Sequence, residues 1–409
     1  AQAGTCVRRA GRSHGPSLAP SMMAAPQPCR LLCIGAPLVA LHAEVPTSVF
    51  ERFELPPNAA VQVEERQQPL RDLLRTSFAV EYAPGGGAAV TALAVQALLP
   101  PAEGRAGEAG SAREPTQVAL LGGVGRDELG NRLRELLRQE GIQPLLSDSD
   151  SEATGWRAVL RAERGTGERD HGLGPAPGED SEARKLGQLS SATFTGAARE
   201  YKLDHLRFKV WESVEAARVV YVESLFLTVS FESAKSVAEY CAKMGNVFCL
   251  NLSAPYLCRF FYDRILTLLP YTDYVIGNEA EYLALAEHRR EDLAGDIDAV
   301  ATWLGRLPRA DGDPGRRRHI IATCGRRPTV VASTWRGYGV KVQRYPVPPL
   351  KAGRYVSKDG AGDAFAGGFL YGLMQGADVD GCVQMALYAA HAAVQRTGPR
   401  FTFKDKPQV

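Results

Sequence analysis

The 409-residue sequence has no apolar run long enough to cross a bilayer and no marked excess of charge of either sign. Its longest apolar stretches, such as residues 31–41, are shorter than the roughly 18 to 20 residues that a membrane-spanning helix requires. Lysine and arginine number 48 against 46 aspartates and glutamates, which leaves a formal net charge of +2. So small a basic surplus gives little electrostatic attraction for a polyanion, so we expect no nucleic-acid partner. Because the apolar runs are short, we also expect a soluble protein without a membrane partner.

Paired cysteines are also missing. The eight cysteines are scattered, none in a CxxC spacing, and several lie inside apolar runs: Cys6, Cys29, Cys33, Cys241, Cys249, Cys258, Cys324 and Cys382. A secreted disulfide framework does not have this pattern, and no zinc site is indicated. We expect buried, reduced thiols and a reducing compartment, which favours a cytoplasmic protein.

The first 30 residues contain no acidic residue and do not begin with methionine, although several arginines are present. An organellar transit peptide has this composition. Translation from a position too far upstream produces such a segment too. Met22 and Met23, just before the first predicted strand, fit that interpretation as the true start. The lack of an amphipathic helical pattern favours the second reading. We treat residues 1–30 as a disordered, non-native or targeting extension and residues 31–409 as one domain. Organellar targeting or incorporation in a cytoskeletal assembly are alternatives to the cytoplasm.

Three stretches are poor in apolar residues and rich in glycine, proline and charge, namely residues 100–115, 163–184 and 308–318. Such composition predicts surface insertions or mobile loops, through which protein partners could bind. The three arginines at 316–318 are expected to be solvated rather than to form a nucleic-acid patch.

Between these stretches, short apolar runs alternate with helical patterns. Residues 117–121 precede a helical pattern at 128–140, and residues 219–222 precede one at 231–244. The alternation continues to the apolar run at 319–323. This strand, helix, strand repetition predicts a doubly wound, mostly parallel sheet with helices on both faces.

Residues 37–82 follow a different pattern. Short extended runs, such as residues 60–63, come before a single helical pattern at 69–76. We interpret this part as a small β-rich region set against the main sheet. Because ligands in such folds bind at the carboxyl ends of the strands, a flap at that edge covers a site.

The most informative motif is the run Asp359, Gly360, Ala361, Gly362 and Asp363, which opens a helical pattern late in the chain. Its glycines let backbone N–H groups at a helix start converge on an anion, and the helix dipole favours negative charge there. A transferring phosphoryl group fits such a site, and Asp363 stands where it can accept a proton from an attacking hydroxyl. The alternative is a glycine-rich helix start that only permits close packing.

Asn278 and Glu281 lie one helical turn apart, directly after the predicted strand at 274–276. This oxygen-rich pair can order water around a Mg²⁺ ion bound to nucleotide phosphates. An N-cap asparagine with a capping-box glutamate explains the same residues, and the two roles are compatible.

Two weaker signals are turns. Thr323 and Gly325 enclose a turn after the predicted strand at 319–323, where the chain can approach a nucleotide phosphate. The glycine run that begins with Gly85 and Gly86 permits close backbone approach to a ligand or forms a hinge. A plain strand-end turn and a flexible loop are the alternatives.

Taken as a set, the TxG at 323–325, the NxxE at 278–281 and the GAGD at 360–363 resemble the signature motifs of the ribokinase (PfkB) family of carbohydrate and nucleoside kinases. Within that family the chain is most similar to adenosine kinases. Further matching runs stand at residues 226–230, 250–255, 270–273 and 396–398. The resemblance covers residues 31–407 apart from the three insertions.

This resemblance implies a ribokinase-like α/β fold whose small β-rich lid is built mainly from residues 37–84 and 154–200. It implies transfer of the γ-phosphoryl group of ATP to the 5′-hydroxyl of adenosine, with Mg²⁺. The expected partners are therefore a small-molecule nucleoside and ATP, and the expected enzyme is a monomer.

The resemblance also implies roles for single residues. Asp363 is the expected general base. The expected anion hole comprises Gly360, Ala361 and Gly362. The residues expected at ATP or, through water, at Mg²⁺ are Thr323, Gly325, Asn278 and Glu281. The residues expected near the nucleoside are Gly85, Gly86, Phe226 and Asp359.

Several positions that hold the nucleoside in adenosine kinases carry different residues here. Ala36 and Ala40 stand where the family has an asparagine and an aspartate, Ala60 where it has a glutamine, and Val90 where it has an asparagine. Each lost polar partner of a buried substrate hydroxyl costs about 1–3 kcal/mol of binding. Three hypotheses follow. The chain is a nucleoside kinase, a catalytically degenerate paralogue that serves as a structural subunit of an assembly, or a nucleotide-binding module that retains ATP or ADP without turning over a nucleoside.

Overall fold

The computed structural model describes most of the chain. The described residues are 31–100, 117–163, 189–287, 289–293, 295–310, 315–334, 339–396, 398–404 and 406–407. The predicted extension at 1–30 lies outside them, and so do nearly all of the predicted insertions at 100–115 and 163–184.

Strands and helices alternate along the described residues. The strands are β1 (Leu31–Ile34), β2 (Leu38–Val45), β3 (Ala60–Gln62), β4 (Glu81–Gly85), β5 (Val118–Gly125), β6 (Gln143–Ser149), β7 (Thr154–Ala162), β8 (Leu189–Gly196), β9 (Val219–Glu223), β10 (Val247–Asn251), β11 (Tyr274–Asn278), β12 (His319–Cys324), β13 (Arg327–Thr334) and β14 (Val340–Tyr345). The helices are α1 (Thr47–Arg52), α2 (Leu70–Ser77), α3 (Gly87–Leu98), α4 (Glu128–Gln139), α5 (Leu203–His205), α6 (Trp211–Ala216), α7 (Phe226–Val229), α8 (Phe231–Met244), α9 (Pro255–Phe260), α10 (Tyr262–Leu268), α11 (Glu279–Glu287), α12 (Ile297–Arg306), α13 (Ala361–Met374) and α14 (Val379–Ala393).

The main sheet has nine strands in the order β14-β13-β12-β11-β10-β9-β1-β5-β6. Neighbours from β6 to β12 pair in parallel, whereas β13 pairs antiparallel with both β12 and β14. The central strands are buried along their whole length, as a parallel sheet covered on both faces requires. The predicted doubly wound, mostly parallel sheet is confirmed.

Two hydrophobic cores lie on opposite faces of this sheet. Along β1, Leu31 and Cys33 belong to one core and Leu32 and Ile34 to the other, because successive strand residues point to opposite faces. Helices α3, α13 and α14 contribute to the first core, and α8, α11 and α12 to the second. Close packing then fixes α13 against α3, since a side chain on Gly367 would come within 2.6 Å of the Ala94 methyl group.

A second, smaller sheet has five strands in the order β3-β8-β7-β2-β4. One of its faces packs into the core through residues such as Leu41 and Trp156. The alternate residues, which include Ala40 and its pairing partner Arg157, lie on the opposite face. This sheet is the β-rich lid of the predicted fold class.

The prediction that the arginines at 316–318 are solvated is wrong for Arg316 and Arg318, whereas Arg317 is exposed. The guanidinium of Arg318 is fully buried and donates hydrogen bonds to several backbone carbonyls, among them Leu269 O at 2.5 Å and Leu307 O at 2.7 Å. Arg316 forms an ion pair with the buried carboxylate of Asp273 at 2.6 Å. Composition suggested a loop, but these arginines satisfy carbonyl groups at helix ends that otherwise lack partners.

Of the cysteines, Cys33, Cys241, Cys249, Cys258 and Cys382 are buried free thiols. Cys324 is a free thiol of intermediate exposure. In the described part of the chain, no helix combines the length and the apolar character that spanning a membrane needs.

Candidate active site

A cavity of about 350 Å³ opens at the carboxyl ends of the central strands. Because the parallel strands all end at the same edge of the sheet, polar residues far apart in sequence meet there. The ends of four strands and the first turns of two helices contribute, in chain order, Gly87, Glu223, Asn251, Asn278, Thr323 and Asp363. The sequence motifs at 278–281 and 360–363 therefore share one cavity.

The start of α13 forms one wall of this cavity. Gly360 caps the helix in the left-handed region, at a φ of +71° that favours glycine. Gly360 and Gly362 line the cavity, and a Cβ on Gly362 would meet no described atom within 4 Å. Ala361, the third residue of the predicted anion hole, donates its N–H to Lys358 O at 3.1 Å.

Asp363 occupies the third position of α13 and lines the cavity. Burial raises the pKa of this carboxyl to about 7, and the negative charge of Asp359 adds to the rise. The cations Arg157 and Arg396 act in the opposite direction. A carboxylate with a pKa near neutrality suits a general base, because it is ionised in part and still basic.

Asn278 and Glu281 form a capping box at the start of α11. The side chain of Glu281 accepts from the N–H and the amide group of Asn278, and Asn278 Oδ1 accepts from the N–H of Glu281. Burial raises the pKa of Glu281 to about 7, and the charge of Asp363 is a further cause. Both predicted roles of this pair remain compatible, since both residues also line the cavity.

Oxygen donors of this kind fit a magnesium ion that is held through water. Asn278 and Glu281 offer an amide and a carboxylate oxygen, which are ligands that Mg²⁺ prefers. Within the described residues, no group of three or more acidic, histidine or cysteine side chains could enclose a metal ion directly. The donor set therefore fits an ion that keeps most of its own water and is held mainly by phosphate groups.

The TxG turn contributes one residue to the cavity. Thr323 lines it and donates a hydrogen bond to Gly277 O at 3.4 Å. Gly325 lies in the turn between β12 and β13 with a φ of +64°, but it is not among the lining residues.

The glycine run at the start of α3 contributes a further residue to the cavity. Gly86 caps α3 at a φ of +91°, and Gly87 lines the cavity. Neither Gly85 nor Gly86 lines it, because both pack against the backbone at residues 36–40.

Sequence reasoning missed Glu223, which ends β9 and lines the same cavity. Its two carboxylate oxygens accept hydrogen bonds from Ala36 N at 2.5 Å and from Ala88 N at 2.8 Å. Burial raises the pKa of Glu223 to about 7, the two N–H groups lower it, and the charge of Asp363 raises it again. The only available signal was an acidic residue at the end of an otherwise apolar strand.

Phe226, which was expected near the nucleoside, lies in the core instead. Its ring is fully buried and packs against Tyr201, with ring centroids 5.3 Å apart. It is not among the residues that line the cavity.

Asp359 faces a neighbouring cavity of about 630 Å³, which Arg396 also lines. An ion pair of 2.6 Å joins it to Arg157 on β7, so it links the second sheet to the loop before α13. Burial alone raises the pKa of Asp359, but the charges of Arg157 and Arg396 outweigh it and hold the pKa below its usual range.

Comparisons with known proteins agree with this geometry. The pfkB family carbohydrate kinase family matches residues 181–406, the stretch that carries the NxxE, TxG and GAGD motifs. The chain is 31% identical to adenosine kinase 1 of Arabidopsis thaliana over 379 residues. The aligned region covers 92% of this chain and 96% of the relative. The chain is 31% identical over 373 residues to the adenosine kinase of Schizophyllum commune, with 91% and 96% covered.

Solved structures share the fold. The crystal structure of Anopheles gambiae adenosine kinase in complex with P1,P4-di(adenosine-5) tetraphosphate matches with a TM-score of 0.70 and 30% identity, over 93% of this chain and 98% of that one. The apo structure of Trypanosoma brucei brucei adenosine kinase matches with a TM-score of 0.75 and 24% identity, over 90% and 99%.

These relatives extend over nine-tenths of the chain, and all are named as kinases. They give no support to the alternative of a structural subunit without a catalytic role. The chain belongs to the pfkB carbohydrate kinase family, and within it to the adenosine kinases.

Proposed function

We propose that this protein transfers the γ-phosphoryl group of ATP to the 5′-hydroxyl of adenosine or of a related nucleoside. The observation that carries the proposal is the place of Asp363, a half-buried carboxylate in the first turn of α13 that shares a cavity with Asn278 and Glu281. The names of the relatives point to the same reaction. With adenosine as acceptor the product is AMP, which places the reaction in purine salvage.

In this proposal, Asp363 accepts the proton of the acceptor hydroxyl as its oxygen attacks the γ-phosphorus. The new P–O bond forms while the bond to the β-phosphate oxygen breaks, and ADP leaves. Gly360 and Gly362 let the first turn of α13 approach the phosphoryl group, whose negative charge the helix dipole stabilises.

The other end of the cavity receives the nucleotide phosphates. Asn278 and Glu281 would hold Mg²⁺ through water, and the ion would supply charge neutralisation at the phosphates. Thr323 adds a hydroxyl at the same end. Since one chain supplies all of these residues, we expect the active enzyme to be a monomer.

Purine recognition requires side chains other than Phe226 in the arrangement described here, because the ring of Phe226 is enclosed in the core. Ala36 and Ala40 are also buried, and they offer no side-chain hydrogen bond to a ribose. We therefore expect an acceptor preference that differs from that of other adenosine kinases.

The test is phosphoryl transfer from radiolabelled MgATP to adenosine, inosine, guanosine and cytidine, with products separated by chromatography. We expect nucleoside monophosphate from at least one of them. Asp363→Asn should lower kcat by about 10²- to 10⁴-fold, because it removes the general base and changes the shape of the site little.

The matched control is Asp378→Asn, which makes the same change at the N-cap of α14, where asparagine caps as well as aspartate. It should leave kcat within about twofold, because N-cap exchange alters local stability only slightly. Full activity of Asp363→Asn, or no phosphorylation of any nucleoside by the wild-type protein, contradicts the proposal.

A further inference from the structure

Glu223 is held rigidly at the acceptor side of the cavity. Its side chain bridges two separate segments, since one oxygen accepts from Ala36 N in the turn between β1 and β2 and the other from Ala88 N in the first turn of α3. The residue is only 3% exposed. Because each carboxylate oxygen accepts one backbone N–H, the orientation of the group is fixed. Each oxygen keeps a further lone pair that can accept a hydrogen bond from a ligand.

Those lone pairs are close to the proposed base. Glu223 Oε2 and Asp363 Oδ1 lie 2.5 Å and 3.2 Å from the point that a Cβ on Gly87 would occupy. The two carboxylates therefore border one small space, which remains open because residue 87 has no side chain. Both residues line the cavity.

Other polar side chains also line this cavity, among them Tyr221, Asn251 and Ser253. Ala36, Gly87 and Leu225 offer no polar side-chain atom. The hydroxyl oxygen of Ser224, next to Glu223, is buried and has no hydrogen-bond partner among the described residues. Because buried polar atoms are nearly always paired, this oxygen indicates a water molecule near the end of β9, although Ser224 itself does not line the cavity.

We infer that Glu223 is a specificity-determining residue of the acceptor site. It accepts a hydrogen bond from a second hydroxyl of the acceptor, while Asp363 receives the proton of the first. The inference rests on the proposed kinase function and deepens it, because it predicts a polyhydroxylated acceptor such as a ribonucleoside. A carboxylate oxygen has two lone pairs, so each can accept a ligand O–H in addition to its backbone N–H.

A purely structural role makes a different prediction. If Glu223 only joined the β1–β2 turn to α3, its replacement would weaken binding of every acceptor alike. If it binds a second hydroxyl, replacement removes the preference for acceptors that have that hydroxyl. The two roles are separated by the ratio of kcat/KM between two acceptors, whatever happens to overall activity.

The experiment compares adenosine with 2′,3′-dideoxyadenosine in the wild-type protein and in Glu223→Gln. Both nucleosides retain the 5′-hydroxyl. We expect the wild-type protein to prefer adenosine by about 100-fold or more in kcat/KM, because an unpaired buried carboxylate disfavours the analogue. Glu223→Gln should reduce this preference at least tenfold, and the 2′-deoxy and 3′-deoxy analogues then show which hydroxyl is bound.

Glu281→Gln is the matched control, since it makes the same substitution at the other end of the cavity. It should lower activity with both nucleosides and leave their ratio within about twofold, because it acts on the phosphate end. Circular dichroism of each variant is measured first to confirm folding. If Glu223→Gln does not fold, a wild-type preference below tenfold still overturns the inference.

A wild-type preference below tenfold overturns the inference, and so does an equal preference in the wild-type protein and a folded Glu223→Gln variant. In either case phosphorylation of adenosine itself is unaffected, so the proposed function survives. If the wild-type protein phosphorylates none of these nucleosides, the proposed function and the inference fail together.

Discussion

The two ends of the cavity are held in place in different ways. At the phosphate end, Asn278 and Glu281 bond to each other across three residues, and Asp363 lies three positions after the helix-capping Gly360. At the acceptor end, Glu223 bonds to backbone groups 135 and 187 residues away. The first arrangement is encoded by neighbours, whereas the second exists only once three segments of the fold have come together.

This difference affects how each end can change. A locally encoded site keeps its geometry as long as one strand and one helix are intact, so its motif stays recognisable. A site made from remote segments can exchange one polar group for another at a different place in the sequence. The alanines at 36 and 40 together with a carboxylate at 223 fit such an exchange.

The largest expected effect concerns Asp363, which faces both ends. Because its pKa is raised to about 7 and the base must be ionised, kcat should fall about tenfold per pH unit below 7. Arg157→Met removes a cation that lowers this pKa, so the acidic limb of the pH profile should move to higher pH. Initial rates from pH 5 to 9 provide the measurement.

The control for that shift is Arg161→Met, four residues further along β7, whose side chain lines the neighbouring cavity. Its acidic limb should coincide with that of the wild-type protein. If the pH profile of Arg157→Met is unchanged, or if both variants shift equally, the charge of Arg157 does not specifically lower the pKa of Asp363.

A second effect concerns stability. The folded protein raises the pKa of Glu223 and Glu281 from 4.5 to about 7, so it favours the protonated carboxyls. Their stabilising contribution is complete below pH 4.5 and is lost as the pH rises through about 7. The free energy of unfolding should fall over this range by about 1–3 kcal/mol for each carboxyl.

Urea unfolding at pH 5, 6, 7 and 8 measures this fall. Glu281→Gln cannot ionise, so its curve against pH should be shallower than that of the wild-type protein. Parallel curves for the two proteins would show that Glu281 is not protonated preferentially in the folded state.

The smallest expected effect tests the local character of the phosphate end. Asn278→Ala removes a helix cap and should cost about 1 kcal/mol of stability. Thermal unfolding of Asn278→Ala and of Asn278→Ser, which retains a capping oxygen, measures the loss. Because the acceptor end does not depend on this box, the preference between adenosine and its dideoxy analogue should be the same in both variants.

The sequence predicted what short-range patterns determine. Alternating runs predicted the parallel sheet, and the residues of the NxxE and GAGD motifs proved to share a cavity because strand ends converge. Glu223 could not be recognised, since its donors belong to distant segments and nothing near it in sequence indicates them. The burial of Phe226 could not be recognised either, since its ring packs against Tyr201 from a different segment of the chain.

Arg318 shows the opposite error. Its charged surroundings at 308–318 suggested solvent, yet carbonyl groups from several helix ends surround its guanidinium. The composition of a segment indicates only the average exposure of its residues. Whether one arginine can be buried depends on how many hydrogen-bond acceptors the fold brings to its guanidinium.

The ion pair between Arg157 and Asp359 links movement of the second sheet to proton affinity at Asp363. Any displacement of β7 away from the loop before α13 must break this pair. Asp359 would then keep its negative charge without the cation beside it. The negative charge of Asp359 raises the pKa of Asp363 and the positive charge of Arg157 lowers it, so moving Arg157 away raises the pKa of Asp363. Near pH 7 a larger share of Asp363 would then carry a proton, and this carboxyl would be less available to accept one from a hydroxyl.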